Sequence, residues 1–257
     1  MQNHLKKYLI FLQIFLTLIF LSNCSFNKQE NKIQLSDTEI YSKGLTSLQK
    51  GDFEKANLEF DEVFINFPFS SLASKSEVMS AYSLYENNNL QKAIVKLNNF
   101  IEMNPKGVLT QYAHYLLAMC YYSQVSSEGR DASLTKEALN NFRLIATKYP
   151  NTKYGKDSKL KIKYLENTIA RNELNIGKFY LKKGAPASSI KRFKFILKNF
   201  ENTSVIPETL YRLTEALLLI GLKEEAIKSS AILTYNFSDN KWSRLSEKLI
   251  ENSVSLF

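Results

Sequence analysis

Few side chains in this 257-residue sequence could carry reactive chemistry: two cysteines, Cys24 and Cys120, and two histidines, His4 and His114. Cys24 sits where the stretch LIFLSNCSFNKQE, Leu18 to Glu30, turns from apolar to polar at one residue. A thiol there can be a buried side chain, half of a disulfide, or the point where a lipid is attached. A secreted domain stapled by disulfides would carry more cysteines. Cys120 lies inside YAHYLLAMCYYS and reads as a small apolar side chain in a packed helix. His114, in the same stretch, reads as packing rather than as a catalytic base. No glycine-rich phosphate loop, metal-ligand spacing or nucleophile elbow accompanies these residues. Glu54, Glu59, Asp61 and Glu62 fall at charged helix positions and read as solvation. The sequence therefore predicts no catalytic residue, no metal and no cofactor.

What precedes Cys24 gives the thiol its context. The start, MQNHLKK, carries Lys6 and Lys7 and no acid, and Tyr8 to Leu21 is almost wholly apolar. That run is shorter than the roughly 20 residues a helix needs to cross a bilayer core, and it has the layout of a secretory signal. The exit Leu21-Ser22-Asn23-Cys24 resembles a bacterial lipobox, with Asn23 where Gly, Ala or Ser is usual. In such signals the thiol takes a diacylglyceryl group, the chain is cut before the cysteine, and the new amino terminus is acylated. The resemblance implies a signal peptide over residues 1–23, a lipidated Cys24, and a polar tether over residues 24–36. Three acyl chains would hold the protein on a membrane for practical purposes permanently, since each buried CH₂ contributes about 0.8 kcal/mol. Ser25, rather than Asp, after the cysteine is the pattern of lipoproteins that move on to the outer membrane.

The formal net charge is +9, and losing residues 1–23 would lower it by two, to +7. Lysine and arginine are spread along the chain and mixed with acids, so no nucleic-acid surface is expected; solubility, an anionic membrane or an acidic partner face uses the charge better.

After the tether the sequence repeats itself. FDEVFINFP (Phe60–Pro68), LNNFIEMNP (Leu97–Pro105), FRLIATKYP (Phe142–Pro150), FKFILKNFE (Phe193–Glu201) and SAILTYNFS (Ser230–Ser238) align, each with a small residue four positions earlier: Ala56, Ala93, Ala138, Ser189 and Ala226. The turns ahead of them begin GDF, NNL, GAP and GLK, with a longer loop before the third, and Gly51 to Asn88 and Gly184 to Gly221 are both 37 residues apart. Upstream of the turns stand small residues again, Gly44, Ala81, Ala118 and Gly177, with Glu215 breaking the rule in the fifth unit. Small residues let two antiparallel helices approach while a large one fills the space beside them, and the closing proline ends the second helix. The pattern resembles the tetratricopeptide repeat, a helix–turn–helix unit of about 34 residues. The expected fold is all-α: a right-handed solenoid of five such helix pairs.

Two irregularities interrupt the period. QVSSEGRDASLT (Gln124–Thr135) is polar enough for an exposed loop. After Pro150 the next turn comes late, and the residues from Tyr154 to about Lys182 read as one long helix with Leu160, Tyr164, Leu165, Ile169, Leu174 and Ile176 on or near one stripe. This helix would join units 3 and 4 and divide the solenoid into residues 37–153 and 154–257.

Cys24, the tether, the five repeats and the long helix together resemble the BamD family of outer-membrane lipoproteins of the β-barrel assembly machinery. The local likeness is strongest in FPFSSLASKSEVMSAYSLYENNNLQKA, NPKGVLTQYAHYLL, and the stretch from ELNIGKFYLKKGA to GLKEEA. Pro186, Gln111 and Glu201 depart from the family's usual residues. The resemblance implies a non-catalytic adaptor, lipid-anchored on the periplasmic face of the outer membrane. Its implied partners are the periplasmic domains of the insertase BamA, other Bam lipoproteins, and unfolded outer-membrane β-barrel proteins. A pilotin-like tetratricopeptide lipoprotein and a periplasmic cell-envelope coordination protein are the alternatives.

In this repeat the first helix of each unit lines the concave face. The positions expected there include Tyr41, Tyr82, Tyr85, Tyr112, Tyr115 and Tyr122. These offer broad contact at modest entropy cost and suit an extended peptide with an aromatic end; ordinary packing between repeats is the other reading. For the half that the resemblance turns toward BamA, Arg192 and Lys198 in IKRFKFILK are the candidates to meet partner acids, against a merely solvated face.

Overall fold

Chain direction reverses at fixed intervals because four residues hold a left-handed backbone. Gly51, Asn88, Gly184 and Gly221 have φ of 76°, 56°, 71° and 78°, and they occupy the same position in their turns. Glycine takes this conformation without a Cβ clash, and asparagine tolerates it better than most. A computed structural model describes residues 35–125 and 132–254, and all regular structure among them is helical. The proposed signal peptide, Cys24 and most of the tether lie outside the described residues, as do residues 126–131. Residues 37–257 form a unit of their own.

The helices are α1 (Asp37–Gln49), α2 (Phe53–Asn66), α3 (Ala73–Glu86), α4 (Leu90–Met103), α5 (Thr110–Tyr122), α6 (Ala132–Lys148), α7 (Lys153–Lys182), α8 (Pro186–Asn199), α9 (Ile206–Leu219), α10 (Lys223–Asn236) and α11 (Lys241–Val254). Each packs on the next, and α3 touches α5, α5 touches α7, α7 touches α9, and α9 touches α11. This is a helical solenoid, hairpin stacked on hairpin. The long helix runs from Lys153 to Lys182, one residue from the start read in the sequence.

Small and large residues meet as their spacing requires. A Cβ built on Gly44 would lie 2.7 Å from the Phe60 ring, and one on Gly177 would lie 2.3 Å from the Phe193 ring. Phe60, Leu97, Phe142 and Phe193 are fully buried, as are Ala56, Ala81, Ala93, Ala118 and Ala138. The fifth hairpin corrects the sequence register. The buried residue equivalent to Gly177 is Thr214, one place before Glu215. It bonds the Leu210 carbonyl at 3.0 Å, while Ser230, opposite, shares a 2.9 Å bond with Ser246 of α11. Hydroxyls here take the place of the glycine–aromatic pair.

Helix ends do not depend on proline. Phe67, Asn104, Phe200 and Phe237 leave the helical region, and each cap N–H bonds the carbonyl four residues back, at Val63, Phe100, Ile196 and Leu233. Pro68 and Pro105 follow two of these caps, but Glu201 and Ser238 follow the others without consequence.

Three expectations need correction. The insertion is shorter as a loop than its polarity suggests, because α6 already begins at Ala132 and Thr135 is buried. On α7, Leu165 and Leu174 are buried but Leu160 and Tyr164 are exposed, so the apolar residues do not form one inward stripe. Glu59 and Asp61 do more than meet solvent: Ser47 Oγ donates to Glu59 Oε2 at 2.5 Å, and Lys96 Nζ reaches Asp61 Oδ1 at 2.6 Å, tying α1 to α2 and α4 to α2.

Candidate functional site

Tyrosines placed once per turn or two on α5 meet others on α7, and two more stand on α3. Tyr82 and Tyr85 lie 6.4 Å apart, ring on ring. Tyr112 and Tyr115 both pack on Tyr154 of α7, at 5.5 and 4.9 Å. Tyr122 stands edge-on to Tyr164 at 5.9 Å and to Phe142 at 5.8 Å. Five of the six predicted tyrosines therefore fall in a row of half-buried rings crossing the first helices of successive hairpins. Tyr41 stands apart. It is 7% exposed, its ring is 5.3 Å from Phe60, and it belongs to the core of the first hairpin.

The row is fixed at its far end by charge. Tyr115 donates its hydroxyl to Asp157 Oδ2 at 2.7 Å. Lys161 lies 3.5 Å from the same carboxylate and 4.9 Å above the Tyr122 ring. Burial pushes the Tyr112 and Tyr115 phenols well above their usual range, with Asp157 adding to the effect on Tyr115. Burial, then the hydrogen bond with Glu86, pushes Tyr82 up to about 12. These phenols stay protonated at neutral pH and keep hydroxyls to share with a polar backbone.

Tyr154, Tyr164, Asp157 and Lys161 join the site from the long helix, which the repeat pattern alone presents as a connector. Its N-terminal part instead completes the third hairpin: Leu165 packs with Ala118, Ala138 and Phe142. Its C-terminal part opens the fourth, where Leu174 packs with Phe193 and Ile196. The signal available was the position of Tyr154, four residues after the closing Pro150, where a first helix begins five residues after Pro68 and after Pro105.

The predicted cations lie elsewhere. Arg192 on α8 pairs with Glu173 of α7 at 3.0 Å, its side chain still 42% exposed, and Lys198 is exposed one and a half turns on. Beside them a cleft of about 270 Å³ opens between α6, α7 and α8, lined by Leu139, Asn140, Glu173, Phe195 and Asn199 among others. Arg143 of α6, at its margin, pairs with Glu166 of α7 at 2.7 Å. Phe195 is 43% exposed and touches the Phe200 ring edge-on at 5.8 Å. An exposed phenylalanine thus stands near two arginines, each paired with a carboxylate of α7. The cleft is a tertiary feature, and no sequence spacing announced it.

Cys120 is a packed side chain, as its sequence context predicts, whereas His114 is only half-buried and its Nδ1 has no hydrogen-bond partner among the described residues. Cys120 is fully buried and unpaired, and burial pushes its thiol up to about 12. Burial, with Lys148 nearby, holds the His114 imidazole below its usual range.

A family model described as YfiO, outer membrane lipoprotein, matches residues 33–232. The outer membrane protein assembly factor BamD of Rickettsia prowazekii is 36% identical over 234 residues, covering 91% of this chain and 93% of the relative. The protein of the same name from Caulobacter vibrioides is 39% identical over 203 residues, covering 79% and 67%. Among solved structures, the TPR2AB domain of yeast Sti1 superposes with a TM-score of 0.43 and 12% identity over 85% of this chain and 84% of that one. With a family model spanning residues 33–232 and a relative 36% identical over 91% of its length, the chain belongs to the YfiO family of outer membrane lipoproteins, the family of BamD.

Proposed function

We propose that this protein is a non-catalytic adaptor of the outer-membrane β-barrel assembly complex. It is anchored by lipid on Cys24 at the periplasmic face of the outer membrane. Its row of half-buried tyrosines receives unfolded outer-membrane proteins, and its α8 face holds the periplasmic domains of BamA. The continuity of that row across α3, α5 and α7 is the observation that carries the reading, together with family membership. Aromatic rings with protonated hydroxyls suit an extended chain that ends in an aromatic residue, since rings take up side chains and hydroxyls meet backbone groups. Tyr82, Tyr85, Tyr112, Tyr115 and Tyr122 form this receptor, extended by Tyr154 and Tyr164; Tyr41 supports it from the core.

On α8, Arg192 is the anchor for an acid on BamA, which would compete with Glu173 for the guanidinium, and Lys198 lends charge at the rim. A half-exposed ion pair is worth little to the free protein, so exchanging its acid costs little.

The test is a native pull-down from detergent-solubilised envelopes through a C-terminal tag, with labelled palmitate supplied during growth. Near-stoichiometric recovery of BamA with other Bam lipoproteins, and label that disappears with Cys24→Ala, would support the reading. Recovery of pilus, secretion or cell-wall proteins without BamA would overturn the function while leaving the fold intact.

A further inference from the structure

The geometry points to a membrane-docking rim on the solenoid, at the edge where the chain from Cys24 enters it. The inference rests on the reading that Cys24 carries the lipid anchor, and it adds a second, protein-borne contact with the bilayer. Because the helices alternate in direction, the loops that follow α2, α4, α6, α8 and α10 lie along the same edge as the start of α1. Asp37 opens α1 directly against the first of these loops, accepting a 2.5 Å hydrogen bond from Ser70 Oγ. The twelve residues from Ser25 to Ser36 can span on the order of 40 Å at most. An anchored chain therefore holds the start of α1, and with it this edge, within about 40 Å of the bilayer.

The edge is not level. Ser204, in the loop after α8, bonds Asn167 of α7 through its N–H and its hydroxyl, both at 2.9 Å. Asn167 lies 14 residues beyond the first residue of α7, about 21 Å along the helix at 1.5 Å per residue. The start of α7, by contrast, sits level with that of α5, where Tyr112 meets Tyr154. The first three loops thus project, and the fourth is set back beside the long helix.

Composition follows this step. On the projecting part Phe69 is 101% exposed and Val108 is 87% exposed, with Met103 and Ile65 also open to solvent. Side chains so exposed contribute nothing to the core. Lys75, Lys106, Lys148, Lys153 and Lys156 surround them, and residues 64–75, 103–114 and 146–156 contain no Asp or Glu. The two later loops carry Glu201 and Asp239, and the large apolar side chain exposed beside them is Tyr235, which precedes the cap Phe237 as Ile65 precedes Phe67. Apolar tips among lysines, with Asp37 tied to Ser70 and Glu102 beside Met103 as the acids nearby, match an anionic phospholipid surface: the tips enter the headgroup boundary and the lysines meet phosphates. The opposite edge also exposes apolar residues, Leu219, Ile220 and Leu222, but at the hairpin furthest along the chain from the tether.

The test uses the chain from residue 24 onward with Cys24→Ala, so that neither a signal peptide nor an acyl chain contributes. Co-sedimentation at low salt is measured with phosphatidylethanolamine vesicles containing about a third phosphatidylglycerol, and with neutral phosphatidylcholine vesicles. The protein is expected to sediment with the anionic vesicles only, and to release as salt rises. Adding Phe69→Ser with Val108→Ser, or Lys106→Glu with Lys153→Glu and Lys156→Glu, should weaken binding about tenfold or more. Leu219→Ser with Leu222→Ser on the opposite edge should leave it unchanged. No sedimentation with anionic vesicles, or sedimentation that both rim variants leave intact, would overturn the rim. Palmitate labelling reports on the anchor separately, so failure of one is distinguishable from failure of the other.

Discussion

The hairpins on either side of the long helix are built alike and furnished differently. Around α3 and α5 the surface beside the core is aromatic and hydroxylated, and the Asp157–Lys161 pair of α7 holds one of its tyrosines. Around α8 it is cationic, with arginines held by acids on the neighbouring helix and Phe195 near them. The core rule is shared: Gly44 under Phe60 and Gly177 under Phe193 are the same contact made twice. The difference teaches that a repeat fixes backbone spacing and leaves the outer positions free for separate partners. α7 belongs to both halves, which makes it the element through which they are held together.

The largest expected effect tests whether the halves are separable. Phe193→Ala removes a fully buried ring and should cost about 3–5 kcal/mol. In an array of nearest-neighbour contacts the loss should stay local. Hydrogen exchange should quicken from Leu174 to Asn236 and remain slow from α1 to α4. Equal acceleration in both would mean that α7 welds them into one cooperative unit.

Next in size is the division of binding. Tyr112→Ala with Tyr115→Ala should weaken binding of a peptide ending in phenylalanine by roughly tenfold or more, as loss of clustered aromatic anchors does at other interfaces. Fluorescence anisotropy would read it. Arg192→Glu should leave the same affinity within about twofold, since the pair with Glu173 lies well away from the tyrosines.

A smaller effect distinguishes the halves by pH. His114 is the sole described histidine, and burial with Lys148 lowers its affinity for a proton in the folded protein. The unfolded chain then binds the proton more readily, so stability is present at pH 7.5 and declines as pH falls through the ordinary histidine range. His114→Gln should flatten the dependence of the denaturation midpoint between about pH 7.5 and 5.5. The smallest concerns turn chemistry: Asn88→Gly, at φ 56°, should stabilise the second hairpin by about 0.5 kcal/mol, visible as a small rise in Tm.

Much of the fold was legible because each hairpin repeats the same local demands. Gly51, Asn88, Gly184 and Gly221 mark the turns by the backbone they require, and the pairing of Gly44 and Gly177 with phenylalanines sixteen residues on marks the crossings. The register failed at Glu215, because Thr214 satisfies a tight position with a hydroxyl rather than by being the smallest residue. It failed for Leu160 and Tyr164, because helical period tells which residues share a face and not whether a neighbour covers it. The tyrosine row was partly legible: residues on α3 and α5 could be found from their place in the repeat, but Tyr154 and Tyr164 needed the knowledge that α7 packs back on α5. Tyr41 shares the spacing and is nonetheless core, since Phe60 and Lys75 close over it. The cleft beside Arg192 depends on three helices converging from distant parts of the sequence.

The most direct measurement compares, in one pull-down series, the wild type, Tyr112→Ala with Tyr115→Ala, and Arg192→Glu, quantifying BamA and unfolded barrel proteins recovered with each. Two separate surfaces predict that the tyrosine variant keeps BamA and loses barrel substrates, while Arg192→Glu loses BamA and still binds a barrel-protein peptide in isolation. BamA retained by Arg192→Glu and lost with the tyrosines would contradict the assignment of the two faces.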